Sequence, residues 1–256
     1  DALADIGYAG TDTVRVPDAL IELHIEGGPF LDRAGERFGA FTRFWGATKY
    51  RLAFIGRQAH TGPTPMAERK DALLAAAHVI TGLKALVGEH GLELHTSVGR
   101  LEVYPNSPNT VPGEAVLFIE LRSGSPEVLE AAEDSLKTMI ADAAEAVGIS
   151  YEVRSIDRRA AGRMDTGLIR LAERAAEARG AGTRHLDTIG GHDAVSLSAV
   201  CPAIVLAVPS VGGVIHHPTE YTRPEDQAFG TQILADMLMI LATRGMAAIA
   251  VEETPV

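Results

Sequence analysis

One cysteine, Cys201, stands alone in 256 residues. That excludes a disulfide framework and a cysteine-rich metal site. A lone thiol fits a reducing, cytoplasmic compartment. Basic residues are outnumbered, and the formal net charge is -11. Nucleic acid is therefore an unsuitable partner, because phosphate binding wants clustered Lys and Arg. No uninterrupted apolar run reaches the roughly 18–20 residues of a membrane span. The longest, "AIVLAV" and "LMILA", suit a strand and a helix face. There is no internal repeat and no low-complexity segment. The opening "DALADIGYAG" has no Met, no basic region and no cleavage signal. It reads as the last turn or two of a helix closed by Gly7, which predicts that the protein's beginning lies upstream.

What is present is the material of a globular fold: 46% hydrophobic and 22% charged residues, enough for a sizeable core. Residues 47–160 follow their own pattern. "KYRLAFIG" alternates as a strand does. Thr64 and Pro65 suit the cap and first position of a helix, with Leu73, Ala77, Ile80, Leu83 and Val87 on its inner face. "HTSVGRLEVY" and "EAVLFIELR" are two more strands. Ser125-Pro126 opens a second helix that Gly148 stops, and "ISYEVRSI" is a fourth strand. The order βαββαβ predicts a ferredoxin-like sandwich with one sheet face or edge left for a partner. Residues 1–46 and 161–256 read as α/β material. They offer a strand around His24, a helix near 166–179, the buried strand "CPAIVLAVP" and a long helix from Pro224. The expected class is α/β, with one domain interrupted by the insert.

Four stretches carry more polar detail than folding needs. They are "HIEGGP" (24–29), "HTGPTPMAERKDA" (60–72), "PNSPNTVPGE" (105–114) with Glu120 and Arg122, and "GGHDA" (190–194) with "VPSVGGVIHHPTEYT" (208–222). Each has an ordinary reading. A histidine on a strand is usually a core or edge residue. Clusters of Pro, Asn and Gly are usually turns. "HHP" can be a surface loop, and "HDA" a helix start capped by Asp193.

Together the stretches resemble the amidohydrolase branch of the M20 metallopeptidase-like family: N-carbamoyl-L-amino-acid hydrolases, β-ureidopropionases and allantoate amidohydrolases. "HIEGGP" resembles that group's "HIEQGP", and "HTGPTPMAERKDA" its "HAGTTPM..R.DA". "PNSPNTVPG" with "ELR" is similar to "PN..NVVPG" with "D.R". "TIGGHDA" is similar to "SGAGHDA", and "IHHPTE" to "SHNP.E". The resemblance implies an M20-type α/β/α catalytic domain interrupted by a lid that also dimerises. It implies two divalent ions per site, Zn or Mn, with His24 and His216 among their ligands. His216 fits better than His217, because Pro218 and Glu220 then fall into register. By the same resemblance His60 meets the developing oxyanion from a partner subunit, and Asn109 and Arg122 hold the substrate carboxylate.

Some positions depart from the pattern. Gly27 stands for Gln, Thr61 for Ala, Pro63 for Thr and Glu120 for Asp. The group's "H.D", its "DG..G" loop and the "EE" that supplies the base all precede the "HIEQGP" strand, and the 23 residues before His24 contain none of them. "HLDTIGG" (185–191) imitates the first motif but occupies the "SGAGHDA" place. Glu252 and Glu253 lie in the C-terminal tail, a poor position for a base. The expectation is the C-terminal part of a metal-dependent amidohydrolase, inactive alone. The complete enzyme would convert an N-carbamoyl-L-amino acid or related ureido acid to amino acid, CO2 and ammonia. The alternatives are an M20 aminoacylase or dipeptidase, and a non-catalytic dimerisation module.

Overall fold

A computed structural model describes residues 2–11, 13 and 15–250; Glu252 and Glu253 lie outside them. In chain order the strands are β1 (Leu20–Ile25), β2 (Gly39–Phe44), β3 (Gly46–Ile55), β4 (Ala59–His60), β5 (Leu94–Tyr104), β6 (Thr110–Val111), β7 (Glu114–Ser123), β8 (Ser150–Arg159), β9 (Gly162–Arg163), β10 (Arg184–Thr188) and β11 (Ala203–Val208). The helices are α1 (Ala2–Asp5), α2 (Phe30–Ala34), α3 (Ala72–His90), α4 (Pro126–Val147), α5 (Thr166–Glu177), α6 (Asp193–Leu197) and α7 (Pro224–Arg244). They form two compact units. The first comprises residues 1–42, 164–186 and 191–256, and the second residues 43–163 and 187–190. The fold class is α/β.

In the first unit the strand order is β1-β11-β2-β10. β11, "AIVLAV", is buried along its whole length, as a strand covered on both faces must be. Its pairing is mixed: β1 runs parallel to it, with His24 opposite Ala207, whereas β2 runs antiparallel. Helix α7 packs on β1 and β11 through Phe229, Gly230, Ile233 and Met237. A Cβ at Gly230 would lie 2.5 Å from Val208 Cγ1 and 3.0 Å from Leu23 Cδ1. The missing side chain is what lets the helix approach the strand that carries His24.

The second unit is the βαββαβ sandwich, with strand order β5-β7-β3-β8 and every pair antiparallel. Its core joins Leu52 and Phe54 of β3 and Leu117, Ile119 and Leu121 of β7 to Val79 and Leu83 of α3 and Leu136 and Ile140 of α4. Alternation places Phe118, Glu120 and Arg122 on the opposite face of β7.

Three details differ from the sequence reading. Thr64 and Pro65 do not start α3. Pro65 is extended and precedes a short 3-10 turn. The cap is Asp71, whose carboxylate accepts from Leu73 N and Leu74 N at 3.0 and 3.2 Å. The inner face of α3 is Ala72, Ala76, Val79 and Leu83, while Ala77 and Ile80 are exposed. An alanine-rich helix offers two apolar stripes, and the smaller side chains take the sheet side. At α6 the cap position belongs to His192, and Asp193 is the first helical residue. Asp71→Ala should cost about 1 kcal/mol, read as a lower urea midpoint with unchanged slope. An unchanged midpoint would show that the cap is idle.

Two windows, Ala72–Glu89 and Pro224–Ile249, are long and apolar enough to cross a membrane by length and composition alone. Polar residues interrupt both windows, so neither is one continuous apolar run. Both belong to helices that lay one face on a sheet of their own unit.

Candidate metal centre

The period of two in "IELHIE" puts Glu22 and His24 on one face of β1. His24 Nδ1 lies 2.8 Å from the Ile25 carbonyl oxygen. A carbonyl only accepts, so Nδ1 carries the proton and the lone pair of the neutral ring sits on Nε2. His192, just before α6, meets the same face. Its Nδ1 is 3.1 Å from Glu22 Oε1, and its side chain is 7% exposed. The other Glu22 oxygen accepts from Ala194 N at 2.9 Å. The His24 and His192 rings meet edge to face, with centroids 4.7 Å apart and an interplanar angle of 87°. Phe41 lies 5.5 Å from His192.

Beyond β1 the chain turns sharply. Gly27 has a φ of 69°, a region that glycine enters without strain. Its N–H donates to Ser210 Oγ at 3.0 Å. Glu26 is structural: its carboxylate accepts from Phe30 N and Leu31 N at 2.8 and 2.7 Å, closing the first turn of α2. Glycine in place of the family's Gln thus relaxes a left-handed position and removes a polar side chain.

His216 reaches the same part of the first unit from the loop after β11. His24, His216 and Glu220 line one open cleft of about 520 Å³, with Leu23, Ile215 and Gln227. His216 has a φ of 57°, a left-handed conformation uncommon outside glycine but adopted by histidine more often than by most residues. Its N–H donates to Glu220 Oε2 at 2.8 Å. His217 does not line the cleft; its Nδ1 contacts Thr219 Oγ1 at 2.9 Å within its own turn. His185 of "HLDTIGG" is bound to Glu173 at 2.7 Å.

The remaining candidates belong to the second unit. His60 is exposed on β4, which pairs with β6. Its Nδ1 accepts from Gly62 N at 3.0 Å. Asn109 is adjacent, its carbonyl accepting from Thr61 N at 3.1 Å. Arg69 pins the intervening loop by donating to Thr64 O at 3.1 Å and to Thr61 O. Arg122 lies on β7, where Nη2 donates to Glu120 Oε2 at 2.8 Å and Nη1 to Ile189 O. A second guanidinium is close by. Burial, then the charge of Arg122, pushes the pKa of Arg159 down. Its Nη2 donates to Trp45 O and Gly190 O, and its Nε is buried without a partner. Lys49 stands 3.6 Å from Glu120 and Asp157 is a second carboxylate near Arg159, so three cations face two carboxylates and a local positive excess remains.

Glu22, His24 and His192 each bring a ligand atom within 4.8 Å of the others. The imidazoles of His24 and His216, which line one cleft, are donors suited to a divalent ion such as Zn2+ or Mn2+, so the residues of the cleft fit a metal. Sequence reasoning missed Glu22 and left His192 without a role. "GGHDA" marked the second, but its partner lies 170 positions away.

The profile of peptidase family M20/M25/M40 matches residues 6–240. The chain belongs to that family. It is 31% identical over 223 residues to an N-carbamoyl-L-amino-acid amidohydrolase of Paenarthrobacter aurescens, covering 87% of this chain and 54% of the relative. It is 33% identical over 224 residues to an allantoate amidohydrolase of Bacillus subtilis, covering 88% and 54%. Among solved structures, a hydantoinase/carbamoylase family amidase of Burkholderia vietnamiensis superposes with a TM-score of 0.87 at 32% identity, covering 93% of this chain and 58% of that one. The chain of this M20 family member spans little more than half the length of the relatives it matches.

Proposed function

We propose that the whole protein is a metal-dependent amidohydrolase acting on an N-carbamoyl-L-amino acid or a related ureido acid, releasing amino acid, CO2 and ammonia. The observation that carries the reading is the cleft of the first unit. There His24, with its lone pair on Nε2, and His216, held in a left-handed loop conformation, come together from sequence positions 192 apart (216 − 24). The relatives named as carbamoyl and allantoate amidohydrolases support the substrate class.

In this reading His24 and His216 hold a divalent ion, which polarises the carbonyl and activates water when bound. Glu220 fixes His216 through its backbone N–H. Arg122, aimed by Glu120, presents a planar fork to the substrate carboxylate, and the neighbouring Arg159 strengthens the attraction. Asn109 adds a polar contact. His60, a ring N–H donor at a strand end, meets the oxyanion across a homodimer. The second unit offers the dimer a surface: β8 is an exposed edge strand bearing Tyr151, Val153 and Ile156.

The test joins this chain to an upstream segment bearing the "H.D", "DG..G" and "EE" motifs, with metal supplied. Ammonia release from N-carbamoyl amino acids is the expected result. Release of acetate or of an amino acid without ammonia, or no turnover on a ureido and amide panel, would overturn the reading. In that protein Arg122→Gln should raise KM roughly 10- to 100-fold, the value of a charge-assisted hydrogen bond, with a smaller change in kcat. An unchanged KM would remove Arg122 from the substrate site.

A further inference from the structure

We propose that Glu22 and His192 form a positioning pair that holds the His24 imidazole in the orientation and tautomer a metal needs. The inference rests on the reading of His24 as a ligand.

Three observations carry it. First, Glu22 uses both carboxylate oxygens inside the protein, on His192 Nδ1 at 3.1 Å and on Ala194 N at 2.9 Å. It ties β1 to the start of α6, a link between residues 172 apart in sequence (194 − 22). Second, neither Glu22 nor His192 lines the cleft that His24 and His216 share. His192 is 7% exposed, whereas a ligand must reach the cleft. Third, the His192 ring stands edge to face on His24 at 4.7 Å, a favoured aromatic geometry, and Phe41 flanks it at 5.5 Å.

The consequence is a chain of constraint. A carboxylate only accepts, so the Nδ1 of His192 carries its proton toward Glu22. That fixes the plane of His192, and the ring fixes the plane of His24. The Ile25 carbonyl then holds the His24 proton on Nδ1. The short separation of Glu22, His24 and His192 is therefore a ligand and its supports, not three ligands. Support of this kind typically changes metal affinity by 10- to 100-fold.

The experiment is nitrogen-15 NMR of the histidine rings in the metal-free 256-residue chain, followed by titration with Zn2+. The variants are Glu22→Gln, His192→Phe and His24→Ala. Gln is nearly isosteric with Glu and keeps the fold testable should the larger change at His192 disturb it. The wild type should show His24 as a single tautomer with Nδ1 protonated. Glu22→Gln and His192→Phe should give mixed tautomers at His24 and weaken Zn2+ binding by 10- to 100-fold. An unchanged His24 tautomer and affinity in both variants, with binding lost in His24→Ala, would overturn the pair and leave the metal site standing. Zn2+ binding unaffected by His24→Ala would overturn the metal reading, and the tautomer readout would still decide the pair.

Discussion

Glu133→Ala will destabilise the second unit by about 3 kcal/mol, because it strips a buried cluster of its shared acceptor. Glu133 lies on α4 with its side chain 10% exposed. Tyr50, 3% exposed, donates its hydroxyl to it at 2.7 Å. Arg158 donates Nε at 3.3 Å and, more closely, Nη2. Lys137 stands 3.4 Å away. Burial by itself raises the carboxyl pKa. The Arg158 and Tyr50 hydrogen bonds and the two cations outweigh it and bring the pKa down to about 2 from an ordinary 4.5. The Tyr50 hydroxyl moves the other way, pushed up first by burial and then by its bond to Glu133. Because the folded pKa of Glu133 is depressed, its stabilisation is fully present above about pH 4.5 and is lost as the pH falls toward 2. Arg158 is about half exposed, so solvent screening reduces its share. Glu133→Gln keeps an acceptor for Tyr50 and loses the charge, so its loss of stability should be smaller and its acid limb flatter. Trp45, the single tryptophan of these 256 residues, lies in this unit and reports its unfolding. Urea melts at neutral pH and near pH 3, followed by Trp45 fluorescence, measure both effects. Superimposable profiles for wild type and Glu133→Gln would refute the electrostatic account.

The βαββαβ order was legible because each element carries a local signal. Ser125 does cap α4, accepting from Val128 N at 3.3 Å, and Gly148 does end it in the left-handed region. The alternation along β7 separated Leu117, Ile119 and Leu121 from Phe118, Glu120 and Arg122. Local signals failed where two choices satisfied the same pattern. Thr64-Pro65 and Asp71 both resemble helix starts, and only the path of the backbone decides between them. The motif residues were legible too, since their types and order survive in the string. What the string concealed is what each does. Glu26, inside the motif, holds the first turn of α2 by accepting from Phe30 N and Leu31 N. Glu22, two residues before it, makes contacts that only the folded sheet creates. His192 does stand at the start of a helix, α6, but its contact with Glu22 was not legible. That contact depends on β1, which lies 170 positions earlier in the sequence.

The second large effect concerns the two cleft histidines. In the protein completed upstream, His24→Ala and His216→Ala should each weaken Zn2+ binding more than 100-fold, beyond the roughly 10- to 100-fold that loss of a supporting residue produces. Ammonia release should fall with it at limiting metal. The neighbouring histidines set the control. His217 is exposed and turned onto Thr219, and His185 is exposed and bound to Glu173. Alanine at either should leave both metal affinity and turnover near wild type. The contrast between His216 and His217 is the sharper test, because they are adjacent in sequence and share one loop. A simple loosening of the loop would affect both variants alike. A ligand role affects His216→Ala alone, since its N–H anchor to Glu220 belongs to the backbone and survives the substitution. Equal losses at His216 and His217, or wild-type affinity in His24→Ala, would take the metal out of this cleft. Restoring turnover in either cleft variant by raising the metal concentration would tie the defect to affinity rather than to folding. Circular dichroism of each variant, expected to match the wild type, checks the same point independently.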